Sequence, residues 1–128
     1  MFRLFLTIPF LLAACLNDET VSGFADTQAT YHLEEMNGVA FGARATISFP
    51  EQGLIRGRAP CNSYSAEQRA PYPWLEMGPI AATRALCADF PAETRFFNAL
   101  TAMTQIEVLG DLLILRSDTG AEMVFRSR

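Results

Sequence analysis

The sequence predicts a mainly β, α+β domain: a small antiparallel β-barrel or strongly curled sheet with one helix near residues 91–103. Short runs that alternate apolar and polar residues recur at close spacing, separated by turn signals. The alternation yields once to a helical period, between Pro91 and Met103. Two hairpin patterns then close the chain. Many short strands with one late helix suit a curled antiparallel sheet whose open end the helix covers.

Half of the 128 residues are apolar, enough for a core, and the length suits one folded domain. The formal net charge is −4, and loss of an N-terminal segment carrying Arg3 makes it −5. The ten basic residues are all arginine and are scattered, so no nucleic-acid face is expected.

Residues 1–14 place Arg3 before an apolar run that ends in small residues. That is the layout of a signal peptide, and the run is shorter than the roughly 18 apolar residues a membrane span needs. A buried N-terminal helix or strand is the competing reading. Pro9 and the polar switch at Asn17-Asp18-Glu19 argue against it. Leu12-Ala13-Ala14-Cys15 resembles the bacterial lipobox, which implies a diacylated Cys15 at the mature N-terminus. Each buried methylene contributes roughly 0.8 kcal/mol, so two chains anchor stably where one does not. Leu16 and Asn17 lack the aspartate of inner-membrane retention, so an outer-membrane location facing the periplasm is expected. Residues 15–29 are polar and small and read as a flexible tether, leaving 30–128 as the domain.

Within the domain, Tyr31-His32-Leu33 is a short extended piece and Asn37-Gly38 a turn. Residues 45–49 alternate as a half-buried strand does, and Pro50 to Gly53 turn the chain. On the next strand, Ile55, Gly57 and Ala59 share one face and two arginines the other. Gly57 inside a strand signals a bend or a close backbone approach. Asn62 to Ala70 is a third strand, with Tyr64 and Ala66 on one face. Pro71-Tyr72-Pro73 interrupts it, because proline donates nothing to a central ladder. Trp74 to Gly78 is another short strand, and Ile80 to Thr83 follows.

Pro91 suits a first helical turn, with Asp89 as a cap and Glu93 favourable to the helix dipole. Phe96, Phe97, Leu100 and Met103 form its apolar stripe. Gln105–Leu109 and Leu112–Arg116 flank the turn Gly110-Asp111, and Ala121 to Arg126 follows a second turn.

Several of these residues together resemble a known family. Tyr31-x-Leu33, Gly57-x-x-x-Cys61-Asn62-x-Tyr64, Ile80-Ala81-x-Thr83-Arg84-x-x-Cys87, Glu93 to Leu100 and Leu112 to Leu115 are similar to the META domain. Its bacterial members include HslJ-type heat-shock lipoproteins. The chain departs from the usual pattern at Tyr31, where tryptophan is common, and at Pro60, where a small residue is commoner. The resemblance implies a small barrel-like fold, a cell-envelope location and an association with stress and antibiotic tolerance.

The chemistry on offer is sparse. His32 is the sole histidine, and nothing in the sequence sets it beside a nucleophile. No catalytic residue, metal site or cofactor is expected: the Cys and His spacings are wrong for zinc, and no glycine-rich phosphate loop is present. With Cys15 lipidated, Cys61 and Cys87 leave an even number in an exported domain, the arithmetic of one disulfide. Two buried free thiols and a redox-active pair are the alternatives. Asn62, Tyr64, Thr83 and Arg84 are the candidate binding residues of the motif. Their other reading is structural, with Asn62 satisfying a turn, Thr83 pairing in a sheet and Arg84 bridging to Glu76 or Asp89.

The function expected is that of a non-enzymatic lipoprotein, held on the membrane through Cys15, which binds an envelope protein. A small-ligand-binding barrel and an inhibitor of an envelope hydrolase are the alternatives. The inhibitor would use the rigid Pro71-Tyr72-Pro73 loop. The ten phenylalanines and five methionines point to a filled interior rather than a ligand cavity.

Overall fold

The computed structural model describes residues 17–128, so Cys15 and the signal-peptide reading lie outside the described residues. The strands are β1 (Tyr31–Met36), β2 (Val39–Ala40), β3 (Thr46–Ile47), β4 (Leu54–Arg58), β5 (Ser63–Glu67) and β6 (Ala81–Ala82). Among the described residues a single α-helix, α1 (Phe90–Ala102), precedes β7 (Met103–Leu109), β8 (Leu112–Ser117) and β9 (Glu122–Ser127).

They build two antiparallel sheets among the described residues. The six-stranded sheet runs β2-β1-β9-β8-β7, with β3 also pairing to β1. The other has the order β4-β5-β6. Local chemistry accounts for most of this. Asn37 and Gly38 both take positive φ, 53° and 77°, the backbone a tight hairpin needs between β1 and β2. On β8 and β9 the period of two buries Leu113, Leu115, Met123 and Phe125 completely. On β4, Ile55 is buried and Arg56 and Arg58 are exposed, as alternation predicts.

Two seams of isolated bridges join the sheets. At one, Ser48 and Arg56 exchange backbone hydrogen bonds of 2.7 and 3.1 Å, tying the chain after β3 to β4. At the other, residues 74–78, expected as a strand, form isolated bridges instead. Leu75 donates to the Thr104 carbonyl at 2.9 Å and Ile106 to that of Pro73 at 2.8 Å. Gly78 donates to Glu67 on β5 at 2.8 Å.

The core lies between the sheets and α1. Phe96 and Leu100 carry no exposed surface, and Tyr64 meets Phe96 and Phe97 edge-on at centroid distances of 5.6 and 5.5 Å. Burying each such ring contributes roughly 2–3 kcal/mol. Met103 is buried as expected, but it opens β7 instead of closing the helix. Asp89 occupies the position before α1, yet its side chain makes no capping hydrogen bond.

The tether expected over 15–29 is corrected from Asp18 onward. Val21 is 2% exposed and belongs to the core, within a 3₁₀ turn spanning Val21–Gly23. The Asp18 carboxylate accepts hydrogen bonds from the Thr20 amide, the Thr20 hydroxyl and the Ser22 hydroxyl. Polar composition suggested an unstructured segment; here the polar groups satisfy each other while one valine plugs into the core.

Candidate functional site

The polar centre of the domain starts from a turn. Ala59 donates its amide to the Asn62 carbonyl at 2.7 Å, folding residues 59–62 back on themselves. Two amides of this turn then face inward. Cys61 and Asn62 both donate to Glu93 Oε1, at 3.1 and 2.8 Å. Asn62 Nδ2 donates to Glu93 Oε2 at 2.7 Å. Glu93 is 4% exposed, and a buried carboxylate is tolerated only where donors replace its water. Its place in the first turn of α1 adds the favourable end of the helix dipole.

Asn62 uses its whole side-chain amide. Nδ2 also donates to the Ala85 carbonyl at 3.0 Å. Oδ1 accepts from the Thr83 hydroxyl at 2.9 Å and the Ala85 amide at 2.6 Å. One asparagine thus joins the 59–62 turn, the helix start and the loop that follows β6. The Cys61–Cys87 disulfide closes the same junction, with Cα atoms 5.6 Å apart, inside the usual range for a bridge. The disulfide settles the three readings of the cysteine pair.

The structure therefore brings Asn62, Thr83, Cys61 and Cys87 together. Tyr64 is close in sequence but is committed elsewhere. Its hydroxyl donates to the Thr46 carbonyl at 2.7 Å beneath the sheet, and burial pushes its pKa up. Arg84 departs from expectation, since among the described residues it pairs with neither Glu76 nor Asp89, nor with any other carboxylate. It is exposed at the mouth of a groove of about 340 Å³ between the 83–87 loop and α1. Asn62 and Glu93 lie at its base, Phe97 and Asn98 along the helix side. Leu86, 83% exposed, and Phe90, 47% exposed, also line it.

Sequence reasoning missed Glu93 as the partner of Asn62 and missed Leu86 and Phe90 as groove residues. The signal for Glu93 was weak: an acidic residue in a first helical turn reads as a dipole partner. His32 sits in β1 opposite Thr46 and Arg126, partly buried. Burial, and then the charges of Arg128 and Arg44, lower its pKa below the usual value. No helix among the described residues is long and apolar enough to cross a membrane.

The META domain family matches residues 25–128. No curated protein matches the chain. Solved structures of similar fold include a protein from Burkholderia xenovorans determined by NMR, 22% identical, with a TM-score of 0.63, covering 82% of this chain and 84% of that one. A second NMR structure is 24% identical with a TM-score of 0.62 and covers 78% of this chain and 89% of its own. A DUF4847 family protein from Bacteroides vulgatus, solved by crystallography, is 12% identical with a TM-score of 0.62, covering 78% and 92%. These likenesses concern the fold.

Proposed function

The chain belongs to the META domain family, and from that premise we propose a non-enzymatic envelope lipoprotein whose domain binds a partner protein at the groove beside α1. One observation carries the reading. Arg84, a cation with no ion-pair partner among the described residues, lines the same groove as exposed Leu86 and Phe90. Such a mouth suits a segment that presents a carboxylate beside an apolar side chain. Arginine pairs carboxylates through two parallel hydrogen bonds, and the apolar neighbours exclude water around them. The disulfide and the Asn62–Glu93 bonds hold the groove wall in one shape, which lowers the ordering cost of binding. A lipid on Cys15 would keep the domain at the outer-membrane surface, and the two sheets with their seams would act as one barrel-like wall. A role in envelope stress or antibiotic tolerance follows from the family resemblance.

The two alternatives fit less well. A ligand inside the fold would compete with Tyr31, Phe49, Phe96 and Phe125, which fill it with at most 1% exposure each. A hydrolase inhibitor would need a free probing loop. Tyr72 of the Pro71-Tyr72-Pro73 loop instead stacks on Phe24 at 4.3 Å.

The test places a photoreactive amino acid at Leu86 in the full, anchored chain in cells. The expected result is one discrete adduct that Arg84→Glu weakens at least five-fold while the melting temperature is kept. An adduct indifferent to Arg84→Glu sinks the groove as the binding site.

A further inference from the structure

A second surface lies where the chain enters the domain. Phe24, 55% exposed, stacks on Tyr72 with an interplanar angle of 17°. Trp74, two residues further on, is 53% exposed. The Tyr72 hydroxyl accepts from the Val108 amide at 3.0 Å, and the next residue, Leu109, is 51% exposed. The Tyr72 amide donates to the Glu19 carbonyl at 2.7 Å, so the patch is bonded to the start of the folded chain. Asp18 and Val21 fix that start by hydrogen bonds and burial.

We infer that Phe24, Tyr72, Trp74 and Leu109 form a membrane-contacting face, seated in the interfacial layer of the bilayer that holds the lipid on Cys15. The inference rests on the lipoprotein reading above. Cys15 is four residues from Glu19, a reach of at most ~14 Å even when fully extended. A domain whose first fixed residue is that close to its acyl chains cannot stand well clear of the surface. The face nearest the anchor must meet the headgroups, and here that face is aromatic.

Tryptophan and tyrosine concentrate at membrane interfaces because their rings are apolar and their polar tips are wet. Electrostatics does not drive the contact. The mature chain carries a net −5, which anionic lipids would repel. Glu19 and Asp26 are exposed on the same entry segment, which keeps the contact at headgroup depth. A partner protein could also cover an aromatic patch, but the patch lies beside the anchor, where lipid is already at high local concentration.

Trp74 is the sole tryptophan, so the intrinsic emission of the protein reports this face directly. The lipidated full chain, purified from membranes, is reconstituted into phosphatidylcholine vesicles with and without bromine on the acyl chains. The expected result is at least two-fold quenching of Trp74 by brominated lipid. Quenching by aqueous acrylamide should also be weaker than in the unanchored Cys15→Ser chain. Phe24→Ser should reduce the lipid quenching while the protein still floats with the vesicles. A chain that floats but whose Trp74 is as open to acrylamide as in Cys15→Ser overturns the inference and leaves the anchor intact. Trp74 shielded in native membranes but not in pure lipid assigns the face to a protein and also overturns it. Absence of acyl mass on Cys15 overturns both the anchor and the face.

Discussion

Glu93 gathers its donors from a turn more than thirty residues earlier in the chain, two backbone amides and the amide of Asn62. Hydrogen bonds to a charged acceptor are stronger than neutral ones, and donors left buried without an acceptor cost more than the bonds themselves contribute. Glu93→Ala should therefore destabilise the fold by about 3 kcal/mol. Glu93→Gln should cost about half as much, because its new NH₂ group faces the NH₂ of Asn62. Urea unfolding at unchanged slope measures both, and a loss below about 0.5 kcal/mol for Glu93→Ala would refute the role given to this carboxylate. Gly57 is another position where one residue type is required. A Cβ there would collide with the Thr46 carbonyl oxygen and lie 2.7 Å from the Tyr64 hydroxyl. The close approach inferred for Gly57 from the sequence is thus real: the Thr46 carbonyl, with the Tyr64 hydroxyl bonded to it, occupies the space a side chain would need.

Among the elements, the entry segment is the one whose composition misled. Asp18, Thr20 and Ser22 look like linker residues, but they form a closed set of hydrogen bonds around the turn that buries Val21. Burial pushes the Asp18 carboxyl up, but the bonds from Ser22 and Thr20 outweigh it and hold its pKa below the ordinary 3.8. A carboxyl with a depressed folded pKa stabilises above its unfolded pKa and loses that contribution as pH falls through the folded one. Hydrogen exchange at Val21 to Ala25 should accelerate as pH drops below about 3.8, beyond the intrinsic pH effect. Asp18→Asn should show no such step. Equal acceleration in both chains would mean that Asp18 does not hold the segment. Other elements were more legible. The helix starts and ends within one residue of its expected bounds, since Pro91 and the Phe96–Leu100 spacing are local signals. Residues 45–49 were not, because Ala45, Thr46 and Ile47 are all buried and the alternation fails.

Across the whole molecule, β1 pairs with β9, so the first and last strands of the domain lie side by side. Folding has to close that long separation, and contacts of this kind are slow to form. The Cys61–Cys87 bridge removes part of the chain entropy in advance. For a sequence separation of 26 its stabilisation is roughly 3.5 kcal/mol on the chain-entropy account. The double variant Cys61→Ala/Cys87→Ala should therefore melt roughly 10–20 °C lower, with the strand content retained below the transition. A shift of only a degree or two would show that the Asn62–Glu93 bonds alone hold the junction.

By itself the sequence determined the mainly β character, the position of the helix, the turns, and the even number of cysteines in the domain. Each of these depends on residues a few positions apart or on simple counting. The tertiary structure alone decided that Asn62 serves Glu93, that Arg84 stays without a carboxylate among the described residues, and that Phe24 stacks on Tyr72. It also decided that the sheets meet at seams of single bridges instead of one long ladder. These facts depend on which distant surfaces meet. A hydrogen bond or a ring contact between segments 23 to 48 residues apart leaves no periodic trace in the chain.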